Sequence, residues 1–162
     1  MLPPELSQTI SQMCHIRPKL KILLVEDSED DAFFFDLALK KSGWSCDRVH
    51  IIDGGQAVDY LKESCNSDSI PDLVFLDLKL PVLTGFEVLE WISAENLLPQ
   101  LHVVILSGSD HQSDIVRARE LGATDYLVKP VSSEELKKRL EAVPPATSVQ
   151  KNHLASIRIS AK

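Results

Sequence analysis

Five short, largely apolar runs, each followed by an amphipathic stretch, constrain this chain more than any other feature. The runs cover residues 21–25, 46–52, 72–76, 101–106 and 125–128, and the stretches after them 30–41, 55–64, 85–94, 113–121 and 132–142. Runs this short read as strands, and continuous apolar strands are buried on both faces. Strands alternating with helices give a parallel sheet covered on both sides. Right-handed crossovers then leave few topologies.

The helix signals agree. Over 30–41 the helical spacing rests on Phe33, Phe34, Leu37 and the stem of Lys41, with Ser28 as N-cap and Gly43 as the stop. Ala57, Val58 and Leu61 share one face of the second helix, and Val88, Leu89 and Ile92 turn inward in the third. Gly122 ends the fourth, and the run Ser132-Ser133-Glu134-Glu135 opens the fifth with a capping pattern.

A length of 162 residues suits one domain with a real core. At 44% apolar and 25% charged residues, the chain has a globular composition. No apolar run approaches the roughly 18 residues a membrane span needs. The first residues lack a signal-peptide layout, so a cytoplasmic location is expected. Residues 20–143 carry 12 basic against 23 acidic side chains, which argues against a nucleic-acid surface. Cys14, Cys46 and Cys65 are too far apart for a metal-binding pair and are expected as reduced thiols. The body is expected at 20–143, after an extension over 1–19 with a short helix near 4–13, and before a tail over 144–162 opened by Pro144-Pro145.

In a sheet of this kind, ligands bind beyond the carboxyl ends of the strands. Those ends read Glu26-Asp27, Asp77, Ser107-Gly108 and Lys129-Pro130. Taken singly, each has an ordinary explanation: an acid caps a helix, Ser-Gly-Ser makes a turn, Tyr126 packs. Together they form a chemistry. Three carboxylates in one cleft repel unless a cation joins them, and Mg²⁺ is the hard ion that carboxylates, a carbonyl and waters hold. Lys129 adds a fixed positive charge and Ser107 a hydroxyl. That set suits a transferable phosphoryl group attacked by a carboxylate.

These residues closely resemble the receiver domain of bacterial two-component response regulators, from about residue 21 to 142. Glu26-Asp27 resembles the family's acidic pair, and Asp77, 50 residues beyond Asp27, its phospho-accepting aspartate. Pro81 and Gly85 stand four and eight residues past Asp77. Ser107 follows Asp77 by 30 residues and resembles the switch hydroxyl; Lys129 follows 22 later, with Pro130 behind it. Tyr126 resembles the aromatic switch residue. The opening LVEDSEDDAFFFDLALKKSG and the long 65–70 loop are similar to stand-alone regulators paired with phytochromes.

The resemblance implies a doubly wound, flavodoxin-like five-stranded sheet in the order 2-1-3-4-5. It implies Mg²⁺ (or Mn²⁺) on Glu26, Asp27, Asp77 and the backbone carbonyl of Lys79. It implies phosphoryl transfer from a histidine kinase to Asp77, assisted by Lys129 and Ser107, and a changed partner surface. The expected role is signalling, with enzymatic character confined to self-phosphorylation and its reversal. The partners are a kinase, of phytochrome type on the narrower likeness, a downstream protein and a second copy of the chain. Two alternatives stand beside it. A receiver-like module acting without phosphorylation would lack the acceptor or the lysine, and both are present. An aspartate-nucleophile phosphatase of the haloacid dehalogenase type needs an acid two residues past Asp77, where Lys79 stands.

Overall fold

A computed structural model describes residues 19–67 and 69–144. The strands are β1 (Leu20–Val25), β2 (Cys46–Ile51), β3 (Leu73–Asp77), β4 (His102–Ser107) and β5 (Asp125–Val128). The helices are α1 (Glu29–Ser42), α2 (Gly54–Asn66), α3 (Gly85–Ala94), α4 (Gln112–Glu120) and α5 (Ser133–Ala142). All strand pairs are parallel, and the order is β2-β1-β3-β4-β5. The five-stranded α/β architecture is the expected one. The proposed helix over 4–13 and nearly all of both terminal segments lie outside the described residues.

Alternate side chains of each strand serve opposite cores. Leu23, Val25, Val74, Leu76, Val103 and Ile105 meet Ala57, Val58, Leu61, Val88, Leu89, Ile92 and Ala118 from α2, α3 and α4. Ile22, Leu24, Leu73, Phe75, Val104 and Leu106 meet Ala32, Phe35, Ala38, Leu136 and Leu140 from α1 and α5. The three central strands are buried on both faces, which explains why their runs are nearly all apolar.

Two local readings need correction. The helix around Phe33 exists, but its apolar stripe is turned: Ala32, Phe35 and Ala38 face the sheet, while Phe33 is 63% and Phe34 54% exposed. Three successive phenylalanines fit several helical phases equally. Packing selects Phe35, whose ring meets Phe75 edge-on at 4.8 Å, while small Ala32 and Ala38 let the helix approach. The second correction is at 65–70. Cys65 and Asn66 continue α2, which starts one residue earlier than expected on the Asp53 cap. Among the described residues, no helix is long and apolar enough to cross a membrane.

Candidate functional site

Parallel register brings the ends of the central strands to one edge. Val25 lies beside Leu76, and Asp77 beside Leu106. The chain turns directly after each strand, so Glu26, Asp27, Asp77 and Ser107 cluster there. One carboxylate oxygen each from Glu26, Asp27 and Asp77 lies within 4.8 Å of the others, with Asp27 exposed and the other two buried. The turn after β3 is possible because residue 85 is glycine. A Cβ there would stand 2.1 Å from the Asp77 carbonyl oxygen. The Gly85 N–H instead donates to the Leu78 carbonyl at 3.0 Å, and Thr84 with Glu87 forms a capping box that starts α3.

Lys129 reaches in from the end of β5. Its ammonium lies 2.9 Å from Glu26 Oε2, 2.7 Å from Asp31 Oδ2 and 3.5 Å from Asp77 Oδ2. The Lys129 N–H donates to the Ser107 carbonyl at 2.8 Å, which holds the base of the side chain. Burial would lower the ammonium's pKa, but hydrogen bonds to Asp31 and Glu26 and the charge of Asp77 outweigh it and hold it above the ordinary lysine value. Burial pushes the Asp77 carboxyl up. Lys129 and the N–H groups of Lys79 and Leu78 pull against that, and Asp27 adds to it. Glu26 is likewise raised by burial, with Lys129 and the Ser28 N–H opposing.

Ser107 is buried at the end of β4, and its hydroxyl accepts from the Ser109 N–H at 3.1 Å. Tyr126 donates its hydroxyl to the Ser109 carbonyl at 2.9 Å. Ser107 and Tyr126 thus meet through one residue of the β4–α4 loop. Lys79 is exposed, and its side chain forms no ion pair with another described residue. Its backbone N–H faces Asp77.

The sequence reading missed two participants. Asp31 sits in the first turn of α1, where an acid normally reads as a helix-start residue. His50 Nε2 lies 2.8 Å from the Glu26 carbonyl, across the β1–β2 pair. Neither carries a motif, and only the register of distant segments brings them in.

Chemically, the site offers oxygen ligands suited to a divalent cation, one carboxylate beside a lysine, and a hydroxyl. The comparisons agree with that content. The model of the response regulator receiver domain matches residues 22–141. The probable methanogenesis regulatory protein FilR2 of Methanothrix harundinacea is 37% identical over 123 residues, spanning 75% of this chain and 79% of that protein. The phosphorylated cyanobacterial phytochrome response regulator RcpA superposes with a TM-score of 0.64 at 33% identity, covering 77% of this chain and 91% of that one. The Mn²⁺-bound form of the response regulator Rcp1 gives 0.62 at 32% identity, with 76% and 91% covered. Neither alternative function is favoured by these matches. This chain belongs to the response regulator receiver family, the signalling domains of two-component systems that accept a phosphoryl group on an aspartate.

Proposed function

We propose that Asp77 is the accepting aspartate and that a histidine kinase supplies the phosphoryl group. The observation that carries this reading is the Asp77 carboxylate itself. It is buried at the end of the central strand, 3.5 Å from the Lys129 ammonium, and grouped with two further carboxylates. A carboxylate oxygen of Asp77 attacks the phosphorus of phosphohistidine. The phosphorus–nitrogen bond breaks, and the imidazole leaves and takes up a proton. Lys129 binds a phosphoryl oxygen, and the Lys79 and Leu78 N–H groups orient the attacking carboxylate. Ser107 turns its hydroxyl from the Ser109 N–H to another phosphoryl oxygen. Tyr126, tied to the same Ser109, follows, and the surface of α4, β5 and α5 changes.

The donor set fits a hard divalent cation: carboxylate oxygens within 4.8 Å, two of them on buried groups whose charged forms are costly without a counter-charge. Glu26 (through water), Asp27, Asp77 and the Lys79 carbonyl would hold Mg²⁺ or Mn²⁺. When bound, that ion neutralises charge on the phosphoryl oxygens. Likeness to a phytochrome response regulator supports a phytochrome-type kinase as donor. The same reading takes residues 20–143 as the receiver and 1–19 and 144–162 as an extension and a tail. It takes the location as cytoplasmic, the downstream partner as a protein, and a second copy as a further partner. The test is incubation with acetyl phosphate and Mg²⁺. The parent gains one phosphoryl mass and Asp77→Asn gains none; equal labelling of that variant would overturn the assignment.

A further inference from the structure

Lys129's shortest contact is with none of the three clustered carboxylates. It is with Asp31, at 2.7 Å. The reason lies in how α1 begins. In α3 and α5 the acid three residues past the cap, Glu87 or Glu135, folds back onto the cap's own N–H. Asp31 holds that position in α1, and its N–H is bound by Ser28 Oγ at 3.3 Å. The return half of the box is taken, because the Ser28 N–H donates to Glu26 Oε1 at 3.0 Å. The Asp31 carboxylate therefore points to Lys129 instead.

An ammonium has three protons. Two lie on Asp31 and Glu26, and Asp77 at 3.5 Å is beyond ordinary hydrogen-bond length. A phosphoryl group on Asp77 brings about −1.5 to −2 charge and competes for those protons. The third proton reaches that group only if the ammonium moves toward Asp77, which lengthens a resting contact, and burial decides which contact yields. The Glu26 side chain is 1% exposed, so releasing it strands a charge away from water. The Asp31 side chain is 39% exposed and rehydrates when released.

We propose that Asp31 is a positioning residue that holds Lys129 back from Asp77 in the resting protein, and that Lys129 exchanges Asp31 for a phosphoryl oxygen while staying on Glu26. This rests on Asp77 being the acceptor. Asp31 then stabilises the resting state more than the phosphorylated one, and removing it tightens phosphoryl binding.

The test is titration of the full chain with beryllofluoride, a mimic of aspartyl phosphate, at saturating Mg²⁺, followed by ¹⁹F NMR. Asp31→Asn is expected to bind roughly one and a half to five times more tightly than the parent, the range one part-exposed ion pair supplies. Asp31→Glu is expected to restore parental affinity, which a purely structural role would not require. Equal or weaker binding by Asp31→Asn, with the parent binding normally, would overturn this inference alone. A parent that binds no beryllofluoride, or binding that survives in Asp77→Asn, would overturn the acceptor assignment and this inference with it.

Discussion

Replacing Asp77 by asparagine should stabilise the protein in the absence of divalent cations. The Asp77 carboxylate is buried, and its oxygen lies within 4.8 Å of oxygens on both Glu26 and Asp27. At an effective dielectric constant near 20, charges at that spacing repel by roughly 3.5 kcal/mol per pair, about 7 kcal/mol for two. Lys129 at 3.5 Å returns a little under about 5 kcal/mol on the same scale. The balance is a cost of about 2 kcal/mol. Desolvation of Asp77 adds to it, and solvent around exposed Asp27 takes from it. An amide removes the charge, still accepts from the backbone N–H groups, and leaves Lys129 bound to Glu26 and Asp31. For a domain of this size the gain corresponds to a Tm rise of roughly 5–10 °C. The sign with pH follows from the direction of the shift. Burial raises the Asp77 carboxyl above its ordinary 3.8, so its neutral form in the fold predominates at low pH and costs no more than an amide. The parent's deficit opens as pH climbs from that ordinary value through the raised one, and is complete above it. The assay is thermal unfolding by circular dichroism, in EDTA at pH 5 and 7.5 and again with Mg²⁺. The variant should lead most at pH 7.5 in EDTA, less at pH 5, and less with Mg²⁺, which stabilises the parent by linkage. A parent as stable as the variant in EDTA at pH 7.5 would refute the argument.

Three further outcomes are expected. Mg²⁺ should raise the parent's Tm, and Asp27→Ala should remove most of the rise; an equal response would put the metal elsewhere. Lys79→Ala should shorten the phosphoryl lifetime, measured as decay of the phosphorylated mass, because the exposed ammonium can cover the in-line approach of water. An unchanged or slower decay would show that this side chain stays in solvent. Phe35→Ala should cost about 3–5 kcal/mol by denaturant unfolding, and exposed Phe33→Ala under about 1 kcal/mol. Equal costs would mean that the α1 stripe has been assigned to the wrong face.

The alternation of strand and helix was already written in the sequence, because each element carries its own hydrophobic period and some helices carry a recognisable cap. Ser28 and Ser132 lie where caps belong, and β3, buried on both faces, reads as apolar from Leu73 to Leu76. The residues at the strand ends could be read there too, since a parallel sheet collects those ends on one edge whatever the loops do. Glu26, Asp27, Asp77, Ser107 and Lys129 were legible for that reason. Tertiary structure alone decided the rest. A run of three phenylalanines has no single helical phase, so only contact with Phe75 turns Phe35 inward and leaves Phe33 and Phe34 in solvent. Asp31 reads locally as a helix-start acid, and it meets Lys129 only because residues 98 positions apart are brought together by the fold. Local signals act within a turn of helix or a few residues of strand. Which carboxylate a lysine chooses depends on distances set by the whole sheet, and on which partner water can still reach.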